Sequence, residues 1–461
     1  MSTSFPSYAP LPEPSGQDER TLLIEEAKRH QVRFVNLEFT DVVGIVKSVT
    51  IPVEQFPDCL AHDKWFDGSA IEGFARIAES DMYLRPDLST FVLIPWSRSG
   101  EVTARIICDV LTPGGESYQG DPRAVLRRVL REAQEQGFGY VVAPELEFFL
   151  LQREKGTPAP LPHDQGSYFD LSTDLAASVR REMVSALQAM GQRIEASHHE
   201  VAAGQHELDF EPADALATAD AIMTARYTLK AIAQVHGLYA TFLPKPFYGI
   251  NGSGMHIHQQ LIRLKDQSNA FADPNDQEYG LTSLARHFLA GQLAHARGMT
   301  AILAPLVNSY KRLVPGYEAP VMISWGRVNR EALLRVPRVN ADQPQHARVE
   351  LRSPDPSCNP YLALAVMLKA GLDGMKQQLP LPAPVEESLL MLDETARLRR
   401  HVGLLPATLG EALEDFKRDE IVREALGEHI AERFLEAKTI EWNDYRKQVH
   451  PWELKRYLDQ F

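Results

Sequence analysis

A chain of 461 residues with 62 acidic and 48 basic side chains has a net charge of −14, which argues against general nucleic-acid binding, because affinity for a phosphate backbone needs a basic surface. Its 44% hydrophobic content suits a large core shared by about two or three domains, and no stretch approaches the roughly 18 consecutive apolar residues of a membrane-spanning helix. Three scattered cysteines, Cys59, Cys108 and Cys358, make neither a disulfide framework nor a zinc site and predict buried thiols. The N-terminus is polar and proline-rich, without the pattern of a signal peptide, so the expectation is a cytoplasmic protein that spans no membrane.

In chain order, residues 1–16 have the composition of a disordered tail. A helix is predicted from about Asp18 to His30. Alternating apolar segments follow, VRFVNLEF, GIVKSVTI, TFVLIPW and VTARIICDV, which read as strands ending at TPGGES (112–117), where Pro and Gly mark a boundary. These make a small, mostly β domain over 17–117. From residue 118 to 461, helical stretches such as PRAVLRRVLREAQEQG and SVRREMVSALQAMG alternate with strands that carry paired polar residues, as expected of a larger α/β or α+β domain. Toward the end, Thr408 and Glu411 predict a capping box before an amphipathic helix, and a further helix is predicted over roughly Glu420 to Lys438.

The chemistry concentrates on strands. In VVAPELEFFLL (141–151) a strand sends Glu145 and Glu147 to one face and Leu146, Phe148 and Leu150 to the other. Two adjacent carboxylates on an apolar strand are either solvated on an exposed edge or balanced by a hard divalent cation. Other segments favour the cation. Glu200 and Glu207 lie on two short strands joined by a turn at Ala203 and Gly204. His256 and His258 share a face of a strand entered through a glycine-rich loop, and Arg348, Glu350 and Arg352 alternate onto one face. So many strands turning ionisable groups to one side would be unstable without counter-ions. Five glutamates and a histidine (Glu145, Glu147, Glu200, Glu207, Glu350, His256) suffice for two divalent sites. Between Lys311 and Arg352 basic residues outnumber acidic ones eight to four, an island suited to a small polyanion such as ATP. Two metals with arginines point to phosphoryl transfer, although no GxxxxGK[ST] loop is present. Glu318, bracketed by Pro315, Gly316 and Pro320, is predicted to sit on a mobile flap able to close over substrate or accept a proton.

From about Arg33 to the C-terminus the chain resembles the type I glutamine synthetases, of the shorter bacterial class typified by Bacillus. The resemblance rests on FDGSAIEGF (66–74), PELEFF, HHEVAAGQHE, KPFYGINGSGMH (245–256), NSYKRLVPGYEAP (308–320) and RVELRSPDPSCNPYLA (348–363), together with EALGEHIAERFLEAKTIEW and QVHPWE near the end. It implies an α+β fold: a small N-terminal β-grasp domain and a large C-terminal catalytic domain whose curved antiparallel sheet is lined by metal ligands. It also implies a dodecamer of two hexameric rings with sites between neighbouring subunits, and ATP with two or more Mg2+ or Mn2+ ions. The reaction implied joins ammonium to the γ-carboxylate of L-glutamate through γ-glutamyl phosphate. On matching positions, Glu147, Glu200 and Glu207 would hold one metal and Glu145, His256 and Glu350 the other. Arg312 and Arg352, with backbone around Asn251 and Gly252, would fix glutamate; Arg330 and Arg335 would bind phosphates; Glu195 and His258 would contact nucleotide. Asp67, reaching a neighbouring subunit, would help deprotonate ammonium, and Glu318 would shield the acyl phosphate and take the last proton.

Departures from the family pattern are Ala70 in place of a second serine near the ammonium site, Gln260 and Pro212 at the nucleotide site, and Glu331 after Arg330. Leu390 replaces the tyrosine that is adenylylated in the longer class, and Arg76 matches an arginine linked to glutamine feedback inhibition. Ala70 leaves a γ-glutamylamine ligase as one alternative. The altered nucleotide contacts leave a non-catalytic paralogue, or association with a regulatory protein, as another.

Overall fold

The computed structural model describes residues 17–69, 81–97, 100–154, 157–340, 342–387, 400 and 402–461. The expected tail and the positions Ala70, Arg76 and Leu390 lie outside the described residues.

The N-terminal domain begins with a helix, Gln17–Arg29, followed by strands β1 (Phe34–Thr40), β2 (Val46–Pro52), β3 (Lys64–Asp67), β4 (Asp81–Pro86), β5 (Val92–Leu93) and β6 (Thr103–Leu111). They form one sheet in the order β2-β1-β6-β4-β3, with β5 on β6 and β1 parallel to β6. Alternation along β1 puts Val35, Leu37 and Phe39 into a core shared with Ile106 and Leu84. Two expectations need correction. TFVLIPW (90–96) begins at the end of a 3-10 turn (Leu88–Thr90) and has only Val92–Leu93 extended, and β3 and β4 fall in mixed-polarity stretches where no strand is expected.

The catalytic domain is built on β7 (Phe138–Glu154), a 17-residue strand. Around it lie β8 (Thr157–Pro162), β9 (Ile194–His199), β10 (Gln205–Phe210), β11 (Ala213–Asp214), β12 (Leu238–Thr241), β13 (Met255–Arg263), β14 (Met322–Gly326), β15 (Ala332–Arg335), β16 (Val349–Leu351) and β17 (Gly403–Leu404). The order is β17-β14-β15-β16-β13-β7-β10-β9, with β8, β11 and β12 also on β7. The sheet is antiparallel, as expected, with one parallel pair, β14–β15. Leu146, Phe148 and Leu150 are fully buried against helices that include Pro122–Glu135, Ala215–Val235 and Pro360–Gln377. The other face is left for chemistry.

Near the C-terminus, Thr408 caps the helix Leu409–Arg418 by accepting from the Glu411 N–H at 3.1 Å. The Glu411 carboxylate reaches the Ala407 N–H rather than that of Thr408, one residue off the expected capping box. The next predicted helix is two, Glu420–Leu426 and Glu428–Tyr445, because Gly427 takes a φ of 77° between them.

Both domains are fastened by Arg123, whose buried guanidinium contacts Asp87 at 2.8 Å and Asp109 at 2.7 Å in the first domain and Asp220 at 2.8 Å in the second. Asn359 adds a hydrogen bond from its side-chain amide to the Asp41 carbonyl at 3.0 Å.

Candidate active site

Strand register sets the site. Across β10 and β7, Glu207 pairs with Glu147 and Asp209 with Glu145; across β7 and β13, Glu145 pairs with His256. On the far side of β13, His258 is opposite Glu350, which is opposite Arg335. Because all these residues sit in register, one face of the sheet carries a continuous field of carboxylates, imidazoles and guanidinium groups.

Two adjoining cavities open on this face. The first, of about 550 Å³, is lined by Glu195, His258, Arg348, Pro212 and Gln260 with apolar Val141, Ala143 and Phe210. The second, of about 510 Å³, is lined by Glu147, Glu200, Glu207, His256, Asn251, Gly252, Arg312, Glu318, Arg330, Arg335, Glu350 and Arg352. Glu145 and Asp209 border both. Every predicted metal, substrate and nucleotide residue therefore lines one of two neighbouring chambers. Asp67 does not: it ends β3, its exposed carboxylate accepting from the Ser69 N–H at 2.9 Å, and the Ser69 hydroxyl, then that N–H, hold it below the usual carboxylate range.

Glu145 accepts from His256 Nδ1 at 2.9 Å and His258 Nε2 at 2.8 Å. Burial works against its ionisation, but the two imidazoles outweigh burial and hold Glu145 far below the usual range. Glu350, fully buried, pairs with Arg335 at 2.8 Å and closely with Arg352. Arg352 foremost, then His258 and His256, overcome burial and bring it down to about 2.

The opposite holds for the other group. Burial and then the neighbouring Glu200 push Glu147 up to about 8, and burial with Glu147 drives Glu207 far above the carboxylate range. Asp209 is also raised by burial, and its Oδ1 is a buried oxygen without a hydrogen-bond partner. Crowded, under-neutralised oxygen donors are what a hard divalent cation requires, so the donor set fits Mg2+ or Mn2+. His256 fits as well: burial, then Arg352, lower its pKa and favour the neutral ring a metal needs.

His258 stands with Glu145 and Glu350 in one group of possible ligands, where His256 Nδ1 also lies 2.9 Å from Glu145 and 3.8 Å from Glu350, and His198 stands with Glu200 and Glu207 in another. His198, Asp209 and Gln205 escaped the sequence reading, although each lies two residues from a recognised ligand and so shares its face. Gln205 donates to Glu147 Oε2 at 2.9 Å and to the Gly252 carbonyl at 3.1 Å, joining ligand strand to glycine loop. Glu195 is out of alternation with His198 and reaches the first chamber beside a β-bulge at Asp209 and Phe210.

Arg312 is buried and already committed. Its fork donates to the carbonyls of Arg352 (3.0 Å), Ser353 (2.9 Å) and Pro354 (3.2 Å). A Cβ on Gly254 would lie 2.4 Å from Arg312 Nη2, and the Gly254 N–H donates to Glu147 Oε2 at 2.9 Å, so only glycine fits between them. Glu318 adopts a φ of 56° and accepts from Asn251 Nδ2 at 3.3 Å, which turns its carboxylate over the second chamber. Arg330 lines this chamber and also a third cavity of about 480 Å³ with Glu318 and Glu331. Gln260 is tied to Asn269 at 3.0 Å at the back of the first chamber. All three cysteines are buried and unpaired. Among the described residues no helix is long and apolar enough to cross a membrane.

A carboxylate-and-imidazole sheet face rimmed with arginines, standing beside a separate small β domain, has the donor set that a divalent-metal enzyme of phosphoryl transfer needs. Comparison with known proteins narrows the class. The family model of the glutamine synthetase catalytic domain matches residues 119–457, and that of the glutamine synthetase β-grasp domain matches 31–113. The glutamine synthetase of Thermus thermophilus is 52% identical over 443 residues, covering 95% of this chain and 98% of its own. That of Clostridium saccharobutylicum is 49% identical over 441 residues, with the same coverage. Among solved structures, a GmaS/ADP complex superposes with a TM-score of 0.84 at 32% identity, covering 95% of this chain and 99% of its own. Plasmodium falciparum glutamine synthetase, at 23% identity and a TM-score of 0.85 over 95% of this chain and 98% of its own, shares the fold. The chain belongs to the glutamine synthetase family, and its activity is ATP-dependent formation of glutamine from glutamate and ammonia. Neither an amine ligase nor a non-catalytic paralogue is favoured at this level of identity to glutamine synthetases over nearly the whole chain.

Proposed function

We propose that the second chamber is where glutamate, the transferring phosphate and ammonia meet, and that the first chamber takes the nucleoside of ATP. The observation that supports this most is the shared border at Glu145 and Asp209, where the two chambers join. Glu147, Glu200 and Glu207, with His198 nearby, would hold one divalent cation; Glu145, His256 and Glu350 would hold the other. Bound there, Mg2+ or Mn2+ would neutralise charge at the transferring phosphate and help orient the reacting carboxylate.

The chain's own groups do the rest. Arg330 and Arg335 bind the phosphates, and Arg335 is oriented by its ion pair with Glu350. Glu195 and His258 contact the nucleotide. Arg352 with backbone at Asn251 and Gly252 holds glutamate, and Arg312 acts by anchoring the segment 352–354 through the carbonyls it already binds. An oxygen of the γ-carboxylate attacks the γ-phosphorus of ATP and ADP leaves. Ammonia then attacks the acyl carbon, phosphate departs, and the surplus proton passes to Glu318. Seated over the chamber, Glu318 also keeps water from the acyl phosphate. Asp67 lies away from both chambers of its own chain, which supports a role in the site of a neighbouring copy, where it would take a proton from ammonium. A homo-oligomer, a dodecamer of two hexameric rings, follows from that requirement and the family relation. Unpaired thiols are consistent with the cytoplasm. Glutamine feedback and a regulatory protein partner belong to the same proposal.

Mn2+ titration followed by electron paramagnetic resonance tests the ligand partition. Two sites are expected in the wild type, with Glu200→Gln removing one and Glu350→Gln the other. A pair of variants that each abolish both sites, or neither, would contradict it.

A further inference from the structure

Behind the turn that carries Glu200 lies a set of buried ionisable groups that the chemistry above leaves unused. The side chains of Asp164 and His199 are both 0% exposed. Asp164 Oδ1 accepts from His199 Nε2 at 2.9 Å, from the Gly204 N–H at 3.0 Å and from the Gly166 N–H at 3.3 Å; Oδ2 accepts from the Leu175 N–H at 3.2 Å. His199 Nδ1 faces the carbonyl oxygen of Glu200 at 2.7 Å. With an acceptor at each ring nitrogen, His199 donates in both directions. One carboxylate and one ring thus join the loop 163–176 to the turn 199–205.

Further contacts follow the same seam. The Phe169 N–H donates to the His199 carbonyl at 3.2 Å, and Ser167 Oγ to that of Val201 at 3.4 Å. Gly166 lies flat on the imidazole, where a Cβ would come within 2.7 Å of Nε2. The loop so held carries Tyr168 and Phe169, stacked with centroids 3.9 Å apart at the mouth of the second chamber, and Phe169 meets His198 edge-on at 4.8 Å. Asp164, His199 and His206 bring ligand atoms near one another. Both Asp164 oxygens are already engaged, however, and Arg180 donates to His206 Nδ1 at 3.0 Å, so the group is a hydrogen-bonded latch and not a third cation site.

A buried ion pair is a poor device for stability, since apolar groups of the same volume do as well. Its merit is direction: four donors from two segments converge on one carboxylate. We infer that Asp164 is a positioning residue that, through His199 and Gly204, fixes the turn presenting Glu200 and Glu207 and locks to it the loop bearing Tyr168 and Phe169. This rests on the reading of Glu200 and Glu207 as cation ligands. Groups behind metal ligands commonly alter affinity by about 10- to 100-fold when changed.

The test uses the full-length protein and Mn2+ alone, read by electron paramagnetic resonance. Asp164→Asn is expected to weaken binding at the Glu200 site by about 10- to 100-fold and leave the Glu145–Glu350 site unchanged, a selectivity that general loosening would not produce. If Asp164→Asn does not fold, Gly166→Ala, which displaces the ring and retains the charge, carries the same expectation. Wild-type affinity at both sites, or equal loss at both, would overturn the inference. Glu200→Gln separates the two readings. If it leaves both affinities intact, the ligand assignment falls and the latch with it; if it removes one site while Asp164→Asn changes nothing, only the positioning role falls.

Discussion

Stripping metal from this protein should make its stability fall as pH rises, and Glu147 gives the size of the effect. Its carboxyl is pushed from an ordinary 4.5 to about 8 by burial and by Glu200. A group whose folded pKa is raised contributes its full stability below its unfolded pKa and loses it as pH climbs through the folded one. Between pH 4.5 and about 8, therefore, the unfolded chain releases this proton while the folded chain retains it. The penalty grows by about 1.4 kcal/mol per pH unit, reaching about 3 kcal/mol at neutrality. A divalent cation replaces the proton, so metal binding should tighten with pH and release protons. Glu147→Gln removes the ionisation while leaving an amide oxygen to accept from Gln205 and Gly254. The assay is denaturant unfolding in EDTA at several pH values from 5 to 8, for wild type and variant at fixed protein concentration, then repeated with Mn2+. The wild type should lose stability toward pH 8 relative to the variant, and Mn2+ should stabilise the wild type more at pH 8 than at pH 5. Parallel pH profiles for the two proteins, or equal Mn2+ stabilisation at both ends, would refute the reasoning.

Other sites give equally direct outcomes. Glu318→Ala should lower glutamine formation by about 100-fold or more while the assembly survives on size-exclusion chromatography, and unchanged turnover would remove Glu318 from the chemistry. Gly254→Ala, whose Cβ would press on the Arg312 fork at 2.4 Å, should raise the glutamate KM by about tenfold or more, as an isothermal titration with glutamate would also register. Arg123→Met takes from Asp220 its cation and leaves Asp87 and Asp109 to Arg127 alone beneath the domain junction, and should cost about 3–5 kcal/mol in denaturant unfolding.

Much of the site was legible because strands repeat every two residues. Glu145 and Glu147 announced a polar face on an apolar strand, and the same rule extended one step would have found His198 beside Glu200 and Asp209 beside Glu207. What the alternation does not carry is register. That Glu207 lies opposite Glu147, and His256 opposite Glu145, depends on how distant strands pair, and the raised and lowered carboxylates follow from that pairing. Arg312 illustrates a second limit. Its charge was visible, but not its three carbonyl partners, which come from a segment forty residues away and tie it to the backbone beside the second chamber. Strands β3 and β4 were missed because short, mixed-polarity segments carry little periodic signal, and Gly427 shows how one left-handed residue divides an otherwise continuous helical pattern.

The most direct test of the account is phosphate release from ATP with Mg2+ and glutamate, measured with ammonium and with a panel of amines at equal concentration, and matched to the glutamine formed. The account predicts phosphate release that depends on ammonium and equals glutamine production. Preference for an amine, or no turnover with any acceptor, would contradict it.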